Sequence, residues 1–229
     1  MLLNYLYSNF HEESHFLEVI GTSLPELRRW MDARIAPEAS YIFESKGHSS
    51  SFVSTHDECE TYRFHLKGHA QWYQSLSRLG LKEEAQARCY FFHRYDAAKK
   101  GFMGSELGRE LRRAASDVEP RFDLDLANST WEHFLGGVYG VCTRDGQPET
   151  IFLKQAGVKF VEALSSKGPG LLAADELELL QRTVELLDGV ASDFAPHEVP
   201  LSSRQRCVKD VRANFLSKIS MPESDMTAI

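Results

Sequence analysis

The 229-residue chain has 42% hydrophobic, 11% aromatic and 26% charged residues and a formal net charge of −7, enough apolar matter for a sizeable core and too much for a disordered tail. No run approaches the roughly 18 apolar residues a membrane helix needs, and Met1 to His15 has neither a basic leader nor an apolar signal stretch, so a cytoplasmic protein without a membrane partner is expected. Cys59, Cys89, Cys142 and Cys207 lie too far apart for a metal knuckle or a dense disulfide scaffold, so reduced thiols are expected and zinc ribbons, secreted mini-proteins, collagen and coiled coils are excluded.

Charge divides the chain. Residues 1–45 hold three arginines against seven carboxylates, whereas residues 62–113 hold eleven Lys and Arg against five acids. In the acidic front, His11 to Ile20 reads as a short helix stopped by Gly21. Ser23, Pro25 and Glu26 then spell a capping box for a helix from Leu24 to Ile35. Beyond Pro37, Ser40 to Phe43 and Ser51 to Ser54 are strand-like around a Gly/Ser-rich turn at residues 45–50, predicting a β-hairpin. This front, with Leu27, Arg28, Arg29 and Trp30 in its second helix, resembles the winged helix-turn-helix of the MerR class of transcriptional regulators. The resemblance implies DNA binding by Arg28, Arg29 and Arg34. The charge argues against it, because a duplex reader gains affinity by neutralising phosphates and this segment carries an excess of acids.

From Tyr62 onward the periodicity is helical, with segments near His65–Leu79, Lys82–Lys99, Ser105–Ala115, Ser129–Leu135, Glu149–Ser165, Ala173–Val190 and Ser202–Ile219. The fold class is therefore mainly α: a winged helix-turn-helix-like module over residues 1–61 and a helical bundle domain over residues 62–229.

His65 and His69 stand at i, i+4 spacing on the first of these helices and His93 lies on the next. The three could converge on an ion, although no acid occupies the metalloprotease position between the first two, and no metal is assigned. Lys99, Lys100, Arg109, Arg112 and Arg113 form a basic stretch that reads either as a solvated helix face or as a surface for an anionic partner.

Two segments are unusual. In Trp131 to Arg144, Gly136, Gly137 and Gly140 interrupt an apolar run, which points to a close backbone approach or a sharp helix end. Cys142 and Arg144 then precede a helix opened by Pro148 and Glu149. In Phe194 to Arg206, His197 and Glu198 sit between prolines as candidate acid and base, while Arg204 and Arg206 could hold a carboxylate or pair with Asp188 or Asp193. Ser202 with Gln205 fits a capping box.

These stretches, with Tyr5 to Phe10, resemble bacterial domain-of-unknown-function family 6058, whose members are labelled natural product biosynthesis proteins. The motif residues are Tyr139, Gly140, Cys142, Arg144, Pro148, Glu149, Pro196, His197, Glu198, Ser202, Ser203 and Arg204. The resemblance implies a role in specialised metabolism and supplies neither a reaction nor a cofactor.

The leading expectation is that the two segments line one cavity. Cys142, His197 and Glu198 would carry the chemistry, and Trp131, Tyr139, Arg144, Glu149, Ser203, Arg204 and Arg206 would hold an anionic small molecule. The alternatives are a ligand-responsive DNA-binding regulator and a non-catalytic partner of a biosynthetic enzyme or carrier protein.

Overall fold

The computed structural model describes residues 2–217. The chain opens with α1 (Leu2–Asn9), β1 (Phe10–Glu12), α2 (Glu13–Ile20), α3 (Leu24–Asp32), β2 (Tyr41–Ser50) and β3 (Thr55–Leu66). Helices α4 (His69–Leu79), α5 (Glu84–Gly104), α6 (Glu106–Ala114), α7 (Leu124–Leu135), α8 (Val138–Cys142), α9 (Pro148–Ser165) and α10 (Ala174–Val190) follow. Residues 203–216 form a last helical stretch, π-helical at Gln205–Lys209 and Arg212–Leu216. The fold is mostly helical with one small sheet. The expected end of the last helix at Ile219 lies outside the described residues, and no described helix is long and apolar enough to cross a membrane.

The sheet is antiparallel with strand order β1–β3–β2. The hairpin is longer than the sequence predicts. Its turn falls at residues 51–54, and the Gly/Ser stretch 45–50 is strand, paired through Ser50↔Thr55. Small residues at 45–50 read as a loop, yet ladder pairing with β3 satisfies their backbone groups. Strand β3 also runs past the expected module boundary at residue 61 to Leu66, so His65 belongs to a strand and not to the predicted helix. Its residues Phe64, His65 and Leu66 are all buried because both sheet faces are covered there, and that erases the alternation that marks a half-exposed strand.

Side-chain caps set several helix starts. Ser105 Oγ accepts from Gly108 N at 3.0 Å and an Asp123 carboxylate oxygen accepts from Leu126 N at 2.9 Å. Gln86 Oε1 accepts from Glu83 N at 3.3 Å, one half of a capping box at the start of α5. Ser23 occupies the cap position of α3, but its side chain makes no capping bond there, against the sequence expectation.

A small core beneath the sheet holds Leu6, Phe10, Phe64 and Leu66. The main core is continuous from Phe16 and Leu27 of the front through Trp72, Phe91, Trp131, Phe134 and Phe152, all fully buried. Trp72 and Phe134 meet edge to face at 4.9 Å, and Phe91 lies 4.8 Å from Phe134. Each such ring contributes about 1.5–3 kcal/mol by burial alone. The polar tips are satisfied: Trp72 Nε1 donates to Ile35 O at 2.8 Å and Trp131 Nε1 to a Glu84 carboxylate oxygen at 2.8 Å.

Candidate functional site

The two glycine- and proline-punctuated segments meet. Thr143 bridges Ala191 in an isolated antiparallel pair, Arg144 N donates to Val190 O at 3.0 Å, and Ser192 N donates to Cys142 O at 3.3 Å. Their contact lies at the C-terminus of α10, where helix carbonyls lack intrahelical partners and the macrodipole favours cations. Arg144 donates to Asp188 O at 3.1 Å and to Ala191 O at 3.4 Å. Arg204 donates to Ala191 O at 3.4 Å, and its guanidinium lies 2.5 Å from the Asp188 carboxylate and 3.2 Å from that of Asp193. Arg212 takes the other Asp188 oxygen at 2.9 Å. Both arginines thus serve as a C-terminal cap, and Arg204 pairs with both of its expected aspartates.

The candidate acid–base pair is divided by environment. His197 is exposed, with Nε2 3.9 Å from a Glu198 oxygen. Glu198 is tied inward: it accepts from Tyr41 Oη at 2.5 Å and from Ala195 N at 3.3 Å. Tyr5 Oη lies 3.3 Å from Ser192 Oγ alongside. Burial and the Glu198 contact hold the Tyr41 hydroxyl well above its ordinary range, so this tyrosine remains a donor. The pair of contacts fastens α1 and the sheet to the 191–202 loop.

Cys142 is buried, and burial pushes its thiol up; the charged group facing it is Lys154 and no imidazole. A thiol so placed is a poor nucleophile. Tyr139 is also buried, pushed up to about 12 by its surroundings, and its hydroxyl accepts from Gln155 Nε2 at 2.6 Å. Trp131 lies in the core, Glu149 accepts two bonds from Arg94 at 2.7 Å, and Arg206 pairs with Glu162 at 2.8 Å. Ser203 Oγ is buried without a partner among the described residues. Ser202 Oγ accepts from Gln205 N at 3.1 Å, the expected cap bond.

The glycines have a packing cause. Gly137 adopts φ +71°, and a Cβ there would lie 2.8 Å from Glu38 O. A Cβ on Gly140 would run into Ser40 and crowd the His69 ring. The histidine trio does not converge. His65 lies on β3 and His69 at the start of α4, both buried, while His93 is exposed on α5. No group of three or more metal-ligating side chains comes together among the described residues. His65 Nε2 lies 3.2 Å from a Glu13 oxygen and its ring stacks on Phe16 at 4.5 Å. Burial pushes His69 down to about 3, leaving a neutral imidazole.

On α3 and just beyond it, each arginine faces a carboxylate of its own chain. Arg28 donates to Glu13 at 2.6 Å, Arg29 pairs with Glu26, and Arg34 donates to Glu84 at 3.0 Å and to Glu132 at 2.6 Å. Such exposed pairs are worth only about 0–1 kcal/mol each, so a phosphate could break them, but the displaced carboxylates would stay beside it. The outer hairpin adds Glu44, Asp57, Glu58 and Glu60 against Lys46, and ends in Phe52 and Val53, 102% and 75% exposed. Sequence reasoning passed over this pair. Its signal is two large apolar residues framed by Ser51 and Ser54, a turn with nothing to bury them.

The geometry is that of a mostly helical protein with a protruding acidic hairpin. Residues 87–216, more than half the chain, match the model of a family of unknown function, DUF6058, and the chain belongs to that family. The match spans most of α5 through the last helical stretch and leaves the sheet-bearing front outside it. No curated protein and no solved structure matches the chain.

Proposed function

We propose that this protein is a non-catalytic recognition protein, a partner of a biosynthetic enzyme or carrier in specialised metabolism, whose winged-helix-like front binds protein in place of DNA. The helix–strand–helix–helix–strand–strand order with sheet order β1–β3–β2 supports the winged-helix reading. The motif resemblance supports the metabolic setting. One observation carries the choice of protein over DNA: the arginines of the recognition-helix position are matched by carboxylates of the same chain, while the wing is an acidic arm with a bare aromatic tip. An enzyme centred on Cys142, Arg144, His197 and Arg204 has weaker support, since the guanidinium groups are engaged by carbonyls and aspartates and the thiol is buried.

Photo-crosslinking tests this directly. A photoreactive residue in place of Phe52 is expected to yield protease-sensitive adducts in the source cells, and one in place of Arg29 to yield no nuclease-sensitive adduct. Nucleic acid captured at position 29, or no protein captured at position 52, would overturn the reading.

A further inference from the structure

We propose that the arm's partner is a second copy of this chain, and that the tip of each hairpin seats in a groove along α5 of the other copy. The inference rests on the reading of the hairpin as a protein-binding arm and assigns that arm to self-association, so an enzyme or carrier would meet another surface of the protein. Strand β2 rises about 3.3 Å per residue, so from Glu44 to Ser50 the arm extends on the order of 20 Å. Residues 48–61 are exposed throughout. Asp57 pairs with His48, and Glu44, Glu58 and Glu60 form no ion pair among the described residues, although Lys46 and Arg63 share the sheet face of Glu44.

The same molecule carries the complement. Two adjoining clefts of about 230 and about 530 Å³ share Asp96 and Lys99 and follow one face of α5. Phe92, Tyr95 and Phe122 line the first, and Lys99, Lys100, Met103 and Arg112 line the second. The stripe 92, 95, 99, 103 keeps helical spacing, so the partly open Phe92 ring and Lys99 share one helix face, floored by the buried Tyr95 and Met103. Lys99 and Lys159 lie 5.5 and 5.8 Å from the centre of the Phe122 ring, two cations on one aromatic. Arg112 Nε is buried with no partner, a donor awaiting an acceptor, and its guanidinium approaches Glu119 only at 3.7 Å. Lys100 is exposed and has no carboxylate partner among the described residues. Asp96, Asp123 and Glu119 also line the clefts and oppose an acidic ligand, so the attraction rests on Arg88, Lys99, Lys100 and Arg112 and on the apolar ring at the arm's tip.

Phe52 between flanking acids has that chemistry. The wider charge pattern agrees, because residues 62–113 are the one basic segment of an acidic chain. Each copy offers one arm and one groove, so a reciprocal exchange closes on a two-fold axis without leaving an open end.

Sedimentation velocity from micromolar to near-millimolar protein, at low and moderate salt, tests the inference. The wild-type chain is expected to form a dimer that weakens with salt. Phe52→Asp, on a fully exposed residue, is expected to weaken association by about tenfold or more. A groove variant, Lys99→Glu with Lys100→Glu, and an arm variant, Asp57→Lys with Glu58→Lys and Glu60→Lys, are each expected to be monomeric alone. Mixed together they restore both contacts and are expected to form a heterodimer. A monomer at every concentration, a dimer indifferent to Phe52→Asp, or no heterodimer on mixing would overturn the inference. A different protein captured at position 52 by a monomeric chain would overturn this partner alone, whereas nuclease-sensitive adducts at position 29 would overturn the reading beneath it.

Discussion

Arg144 and Arg204, far apart in the sequence, donate to the same acceptor: the carbonyl of Ala191 lies 3.4 Å from Nε of the first and 3.4 Å from Nη1 of the second. The shared carbonyl closes α10 and joins the α8–α9 connection to the loop before the last helical stretch. Ligand-binding arginines keep donors aimed at open space, whereas these aim at backbone and at Asp188.

Removal of Arg204 is therefore expected to cost stability. Arg204→Ala leaves Asp188 with Arg212 as its one basic partner among the described residues and Ala191 O with a donor from Arg144 alone, a loss of about 2 kcal/mol. Urea denaturation reads it as a shift in midpoint at constant slope. A change below about 0.5 kcal/mol would mean the side chain is held only loosely and is free for another ligand.

Adjacent glycines are expected to behave oppositely. Gly136→Ala is near neutral, because its backbone is at φ −74° and the added carbon sits 3.4 Å from Glu132 O. Gly137→Ala combines φ +71° with a contact at 2.8 Å to Glu38 O and should cost about 1–3 kcal/mol. Equal midpoints for the two variants would contradict the packing account.

Acid should weaken the fold through His69. Its native imidazole stays neutral down to about 3, while the unfolded chain takes up the proton below about 6.5. The unfolded state then binds more protons across that window, so stability falls as pH drops, by about 1.4 kcal/mol per pH unit from this group. Urea midpoints at pH 7, 6 and 5 should decline, and His69→Leu should flatten the decline. An unchanged pH slope in the variant would show that His69 is not the group responsible.

Thiol chemistry separates the cysteines. Cys59 and Cys89 are exposed, whereas burial pushes the Cys142 and Cys207 thiols up. Timed alkylation followed by mass spectrometry should label the first two well before the others. Cys142 reacting first would revive it as a nucleophile.

Much of this architecture is legible in the sequence, and the failures are physical. Strong apolar periodicity marks α6, and caps and breaks such as Ser105 and Pro148 bound the longer helices, so the helices predicted from residue 82 onward lie close to their positions. The glycines of the 136–140 run signal a close neighbour, which is the 38–40 segment with His69; the meeting of the 142–144 and 191–204 segments rests on other contacts. Other features escaped. Helix α1 and strand β1 are too short to show a period, and β1 exists only because β3 offers an edge. His65 read as helical because both sides of its strand are covered. The fate of Arg144 depended on where the end of α10 falls, a distance no residue spacing encodes, whereas the pairing of Arg204 with Asp188 and Asp193 is one of the alternatives the sequence itself offers.

The central claim is that the front module does not read DNA, and a fluorescence-anisotropy titration of the full chain against a mixed-sequence duplex, at low and at moderate salt, tests it most directly. The account predicts no saturable binding in either condition. Binding at low salt whose affinity falls steeply and linearly in the logarithm of salt concentration, and which Arg28→Ala with Arg29→Ala abolishes, would contradict it.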